Sequence, residues 1–368
     1  MRVLHFFKTF FPDTTGGIEE TIHQIAMGGV ARGIKADILA LTREKSAPVI
    51  VEHGYAVHRA HRDFEIAATG FSVTALRRFA ELAAQADIVH YHFPWPFMDI
   101  AHLVTRTGKP SVVTYHSDVV RQKILLSLYR PLMRRFLGSV DAIVATSPNY
   151  LETSSVLREY REKVSIIPIG LDRTSYPDAQ QTLLSQWRAR MGDRFFLFVG
   201  AFRYYKGLHI LLEAARGAPY RIAIVGAGPI ESELKRQAKR LELDNVNFLG
   251  SLPDPDKSAL LALCAGVVFP SNLRSEAFGV SLLEGAMYGK PMISSEIGTG
   301  TSFINVSGQT GVVVPPDDPE ALRRAMDQLW HNHYLAEQLG KAARMRYKRF
   351  FTASRMVDAY AALYNHLL

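Results

Sequence analysis

Cysteine is almost absent: Cys264 is the one such residue among 368. That excludes an internal disulfide and points to a reducing compartment, the cytoplasm. Long apolar runs are missing as well. Apolar runs such as FFLFVG at 195–200 fall far short of the ~20 residues that span a bilayer. Met1 leads directly into RVLHFF without a cleavable apolar segment, so neither a membrane crossing nor export is expected. Repeats and low-complexity tracts are lacking, which excludes solenoids, fibres and disordered chains. So is a single dense run of one charge. The net charge of +8 is spread over both halves, which favours anionic partners and argues against nucleic acid.

What is present suffices for two domains, with 48% hydrophobic residues to build two cores. RVLHFFKTFF at 2–11 reads as a strand, followed by a turn at Gly16-Gly17 and a helix from about Ile18. Apolar strands then alternate with helices: KADILAL, YAVHRAH, ADIVHYH, PSVVTYH, DAIVATS and VSIIPIG, ending at 170. After a polar stretch the alternation restarts with RFFLFVG, RIAIVGAG, NVNFLGS, AGVVFP, PMISSE and GVVVPP. Such alternation predicts parallel sheets covered on both faces, an α/β architecture of two doubly wound, Rossmann-like domains. We place the first at 1–170 and the second at 171–349, with an aromatic helix at about 350–368 able to pack back on the first. Ligands of such folds lie at the carboxyl ends of the strands, here in a cleft between facing domains.

One segment concentrates cations. VVRQKILLSLYRPLMRRFLGSV at 119–140 carries Arg121, Lys123, Arg130, Arg134 and Arg135 without an acid, interleaved with apolar residues, and predicts a basic amphipathic helix bent near Pro131. Two uses fit it: a core-facing helix with a solvated basic face, or a helix resting on anionic lipid.

The stretch SNLRSEAFGVSLLEGAMYGKP at 271–291 follows the strand AGVVFP. Glu276 falls in the loop at that strand's carboxyl end, and a helix begins near Phe278 or Gly279. The free amides of Gly279, Val280 and Ser281 form a first turn suited to phosphate, and Gly279 permits close approach. Glu284, more than a turn further in, can accept both hydroxyls of a ribose. One acid for a sugar, one for a ribose and phosphate between them describe a sugar-nucleotide site. The plainer alternatives are an acid satisfying the helix dipole and an ordinary polar helix position. Three other signals are set aside. Asp254-Pro255-Asp256 is explained as turn and N-cap; His90 and His92 lack a further ligand and line the cleft; Gly226-Ala-Gly228 has Glu231 where a dinucleotide fingerprint needs a small residue. No metal and no cofactor are expected.

The run E-A-F-G-V-S-L-L-E with E-G-x-x-x-G-K-P resembles the glutamate signature of retaining glycosyltransferases of family 4, which have the GT-B fold. P-D-T-T-G-G-I-E, V-H-Y-H, T-Y-H-S-D, A-T-S-P-N-Y, I-P-I-G-L-D, F-V-G-A-F-R-Y-Y-K-G, V-G-A-G-P and G-V-V-V-P-P-D-D are similar to further family motifs, in family order through most of the chain. The resemblance implies that Lys206 holds the donor pyrophosphate, with Arg203 replacing an arginine that many members carry where this chain has Ala201. His116 matches the histidine beside the reacting centre, and leaving-group stabilisation is the main catalytic term. Glu276 would hold the donor sugar, Gly16 and Gly17 would let the first loop approach donor and acceptor, and the base would lie against Gly250-Ser251-Leu252. LRSEAFG, A-F-R-Y-Y-K-G-L and E-I-G-T-G-T-S-F-I-N look most like the branch that transfers mannose or 6-deoxymannose in bacterial surface-polysaccharide assembly. This implies a GDP-sugar donor, a lipid-linked glycan acceptor and a peripheral place on the inner face of the membrane, with 119–140 in contact with anionic lipid. A UDP-sugar donor, a nucleotide-sugar epimerase on the same fold and a non-catalytic scaffold are the alternatives.

Overall fold

The computed structural model describes the chain apart from residues 15, 46–48, 67–68 and 120–122 and the side chains of 123 and 124. Two compact units form, Met1–Gly170 with Ala353–Leu368, and Leu171–Thr352.

Among the described residues, unit 1 holds ten strands: β1 (Arg2–Phe6), β2 (Lys35–Thr42), β3 (Ile50–Glu52), β4 (Tyr55–His61), β5 (Phe64–Ile66), β6 (Thr69–Phe71), β7 (Ile88–Phe93), β8 (Ser111–Tyr115), β9 (Ala142–Ala145) and β10 (Val164–Ile166). Eight of them make a sheet in the order β10-β9-β8-β7-β1-β2-β4-β3, and β5 and β6 form a separate hairpin. Every pairing in the large sheet is parallel except β3 with β4. The central strands β1 and β7 are almost wholly buried, as strands covered on both faces must be. The helix Ala353–Leu367 packs against the helix Gly17–Val30, so closely that a Cβ on Gly28 would lie 2.6 Å from Val357 Cγ2. Arg32 Nε pairs with Asp358 at 2.7 Å across the same contact.

Unit 2 holds β11 (Phe196–Val199), β12 (Ile222–Val225), β13 (Val246–Gly250), β14 (Gly266–Phe269), β15 (Met292–Ser295) and β16 (Gly311–Val314), in one parallel sheet of order β13-β12-β11-β14-β15-β16. Numbered within the unit that order is 3-2-1-4-5-6, which reverses between β11 and β14; unit 1 reverses likewise between β1 and β7. Apolar layers cover both faces of the second sheet. One contains Phe196, Leu211, Ile222 and Met326, the other Leu197, Val225, Leu260 and Cys264, whose thiol burial raises above its ordinary pKa.

Where the sequence places the Asp254-Pro255-Asp256 run at an N-cap, the structure puts both acids inside the first turn of the helix Asp254–Leu263, capped by Pro253. Asp256 accepts a hydrogen bond from Trp187 Nε1 at 2.9 Å, and Asp254 pairs with Lys257 at 2.5 Å. Both acids thus have structural partners. The basic helix spans Lys123–Ser139 and continues through Pro131. Arg121 lies outside the described residues. The helix buries Met133, Phe136 and Leu137, and leaves Leu128 at 74% exposed beside exposed Arg130 and Arg135. The segment has no acid of its own, yet Arg134 is matched from outside it by Glu159 at 2.8 Å. No helix among the described residues is long and apolar enough to cross a membrane.

Candidate functional site: paired loops at the strand-order reversal of unit 2

The loops after β11 and β14 leave the sheet side by side, because their strands are neighbours. After β11 the chain makes a short 3-10 turn, Tyr204–Lys206, and then Gly207 at φ +66. A Cβ on Gly207 would sit 1.9 Å from the carbonyl oxygen of Pro270, so glycine there allows the two loops to touch. Asn272 N donates to Tyr205 O at 3.0 Å across the same seam. The outcome is a pair: Lys206 Nζ bonds Glu276 Oε2, with side chains only 13% and 11% exposed, and the ammonium lies 4.7 Å from the Phe269 ring centre. Asn272 Oδ1, in the same loop, is buried without a hydrogen-bond partner among the described residues.

The helix after this loop is Val280–Met287, with Gly279 as N-cap at φ +101 in place of a start at Phe278 or Gly279. Leu282 N bonds Gly279 O at 2.9 Å, while the amides of Gly279, Val280 and Ser281 have no acceptor among the described residues. Phe278 is buried and packs edge-on to Phe351, with ring centres 6.3 Å apart. The Ser281 hydroxyl is engaged with Val199 O at 2.7 Å. Glu284 is half-buried and accepts a hydrogen bond from Tyr176 at 3.0 Å, a partner 108 residues away that sequence reasoning missed. Arg203 is exposed and makes no ion pair among the described residues. At the end of β13, Gly250 (φ +71) uses its carbonyl to accept from Gly226 N at 2.8 Å, and Leu252 packs partly buried against the core. The Gly226 and Gly228 pair has a packing role: Cβ atoms there would meet Gly200 O at 2.0 Å and Phe202 O at 2.3 Å.

At the reversal in unit 1, His5 on β1 lies in register with His90 on β7. His90 and His92 are fully buried, which corrects their expected place lining a cleft. His5 joins them: one ligand atom from each of His5, His90 and His92 lies within 4.8 Å of the others, so a third imidazole exists where none was foreseen. The nitrogens of His90 and His92 are already engaged, His90 with Tyr364 at 2.6 Å and Thr114 at 2.7 Å, His92 with His5 at 3.2 Å and His116 at 3.0 Å. His116, at 5% exposure, closes the row after β8. Gly16 has extended backbone at φ −170 and caps the helix that begins at Gly17; a Cβ on it would stand 2.7 Å from Glu19 Oε2. Glu19 accepts hydrogen bonds from Thr9 at 2.8 Å and Thr14 at 2.9 Å, which folds the first loop over the helix start. A cavity of about 700 Å³, lined by Arg106, Lys109, Arg135 and Asp141, opens where β8 begins, at the end of the sheet away from His116, and contains none of these groups.

Residues 15–175 match the model of Glycosyltransferase Family 4, and residues 180–346 that of Glycosyl transferases group 1. The chain is 58% identical over 353 residues to D-rhamnosyltransferase WbpZ of Pseudomonas aeruginosa, covering 96% of this chain and 93% of that one. The chain is a family 4 glycosyltransferase. This glycosyltransferase is also 51% identical over 368 residues to O-antigen chain mannosyltransferase C of Escherichia coli, covering 100% of this chain and 99% of the other. Among solved structures, sucrose-phosphate synthase of Thermosynechococcus elongatus superposes with a TM-score of 0.82 over 100% of this chain and 98% of its own, at 20% identity, a likeness of fold. The fold of the glycosyltransferase is GT-B, with two Rossmann-like units.

Proposed function

We propose that this glycosyltransferase moves mannose or 6-deoxymannose from a GDP-sugar onto a growing, lipid-linked glycan of a bacterial surface polysaccharide of O-antigen type, with retention of configuration and without a metal. The observation that carries the reading is the Lys206–Glu276 pair at the strand-order reversal of unit 2, beside the open amides of Gly279, Val280 and Ser281. That is where an open α/β sheet takes its ligand. The diphosphate would draw Lys206 away from Glu276 and lie on the helix amides, with Arg203 free to reach it. Glu276, released, would accept the hydroxyls of the sugar, and Asn272 Oδ1 offers a further unfilled acceptor in the same loop. Glu284 would hold the ribose, Gly250 to Leu252 the base, and His116 would act on the reacting sugar; Gly16 and Gly17 would admit donor and acceptor to the first loop. Cations placed at the leaving diphosphate stabilise charge as it develops, so bond breaking is assisted without a proton donor or metal. The names of the two relatives, a D-rhamnosyltransferase and an O-antigen mannosyltransferase, support the sugar and the pathway class. The basic helix with exposed Leu128 supports a peripheral place on the inner membrane face.

The test is a donor titration by calorimetry with GDP-mannose, GDP-rhamnose and UDP-glucose, followed by transfer to synthetic lipid-linked saccharides with linkage analysis, each with and without excess EDTA. Binding and transfer from a GDP-sugar that persist in EDTA are expected. Preference for the UDP-sugar, hexose interconversion without acceptor, absence of any turnover, or a loss of roughly tenfold restored by manganese would overturn the corresponding part.

A further inference from the structure

Three imidazoles in unit 1 are joined end to end. His5 Nδ1 lies 3.2 Å from His92 Nε2, and His92 Nδ1 lies 3.0 Å from His116 Nε2. Each link uses the Nδ1 of one ring and the Nε2 of the next. The His92 and His116 rings lie edge to edge, their planes 22° apart and their centres 5.3 Å apart, and His5 and His92 likewise, with planes 24° apart and centres 5.4 Å apart. Burial holds His5 and His116 down at about 3 and His92 well below the usual imidazole value, the last with help from the neighbouring rings. At neutral pH all three are uncharged.

A neutral imidazole carries one N–H. When His92 carries it on Nδ1, it donates to a bare His116 Nε2, so His116 must be protonated on Nδ1; His92 Nε2 is then bare and accepts from His5 Nδ1–H. When His92 carries it on Nε2, every assignment reverses. Any mixed arrangement leaves two hydrogens, or none, between a pair of buried nitrogens, at the cost of an unmet polar group. His90 stands outside this logic. It stacks on His92 with centres 4.4 Å apart, but its nitrogens meet the hydroxyls of Tyr364 and Thr114, which rotate to suit either tautomer.

We propose that His5, His92 and His116 form one tautomeric unit with two states, and that His92 is the positioning residue through which His116 presents either a donor or an acceptor at Nδ1, with His5 coupled to the same state. The Nδ1–H state suits an oxygen lone pair of a hydroxyl or a phosphate, and the reverse state suits a hydroxyl that donates. A ligand oxygen that selects one state at His116 thereby sets the hydrogen on His5, two rings away. The consequence for transfer rests on the role of His116 given above; the coupling itself does not.

The experiment uses full-length protein with 15N-labelled histidine, dialysed against EDTA, and two-bond 1H–15N spectra that separate Nδ1–H from Nε2–H. The expected result is one shared tautomer for His5, His92 and His116; differing tautomers overturn the proposal, as does a metal ion retained on the His5, His90 and His92 nitrogens. Two variants add a functional arm. His92→Asn sets an amide where Nδ1 was, keeping the link to His116 and breaking that to His5, whereas His92→Gln sets it where Nε2 was and leaves His116 unlinked. With equal thermal midpoints, His92→Asn should hold kcat within about threefold and free the His116 tautomer from that of His5, while His92→Gln should lower kcat roughly tenfold or more at unchanged donor KM. Equal kcat loss in both variants would show only a packing role and overturn the positioning assignment. A shared tautomer in a wild-type protein that transfers nothing would fault the transferase reading and leave the coupling standing.

Discussion

Lys206 and Glu276 satisfy each other with side chains only 13% and 11% exposed, so each is the other's charge partner. Removing one partner leaves a largely desolvated charge. Lys206→Met and Glu276→Gln should each lower the thermal midpoint, and the double variant should fall short of their sum by a coupling of roughly 0.5–3 kcal/mol. Strict additivity in the double-mutant cycle would mean that the pair does not interact in solution. A second acid contributes to acid stability in unit 1. Burial pushes the Asp37 carboxyl up, but hydrogen bonds from His58 at 2.9 Å and Arg2 at 2.6 Å outweigh it and hold it at about 2. Because that value lies below the unfolded one, near ~3.9, the contribution is complete above about pH 4 and is lost as pH falls towards ~2. Asp37→Asn should therefore lower the thermal midpoint at neutral pH and flatten its decline between about pH 4 and 2. Curves for variant and wild type that stay parallel through that window would refute the assignment.

The basic helix combines exposed Leu128, Arg130 and Arg135 with a buried side of Met133, Phe136 and Leu137. Arg134 already pairs with Glu159, so reversing it would set two acids against each other and test the fold as much as the surface. Arg130→Glu with Arg135→Glu is the cleaner change. If the helix rests on anionic lipid, each cation contributes about 1 kcal/mol, and the attraction weakens as salt rises. Binding to vesicles with anionic lipid and transfer to a lipid-linked acceptor should both drop, while transfer to a short soluble acceptor stays the same. Vesicle binding indifferent to the reversal would remove the membrane contact. At this scale the sequence was informative where burial wrote the pattern. Short apolar strands such as IAIV at β12 and GVVF at β14 stand out because parallel strands are covered on both sides. β3, β5 and β6 were not legible: each has three residues and little or no buried pattern. The helix beginning at Val280 was legible within a residue or two because a glycine precedes it. Tyr176 against Glu284 and His5 against His92 were not, since they meet through sheet order and chain return, which local periodicity does not encode.

Across the whole molecule the chain passes out of unit 1 after Gly170, builds all of unit 2 and comes back at Ala353. Leu171 and Thr352 lie side by side as a parallel bridge, and Leu171 N bonds Phe351 O at 3.0 Å, so departure and return share one place within unit 2. The returning helix seals unit 1: Tyr364 bonds His90, Tyr360 bonds Thr114 at 2.8 Å, and Val357 fills the notch at Gly28. A chain ended at Thr352 should keep residues 171–352 resistant to limited proteolysis and lose protection across 1–170, read by mass mapping of the fragments. Equal protection of both regions would show that unit 1 closes without that helix. The same arrangement inverts the usual order of assembly during synthesis, in which domains complete from the N-terminus onward. The eight-stranded sheet emerges first but waits, with His90 and the Gly28 face uncovered, until every residue of the later sheet has been made, so unit 2 can reach its finished state on the ribosome while the older unit is still open.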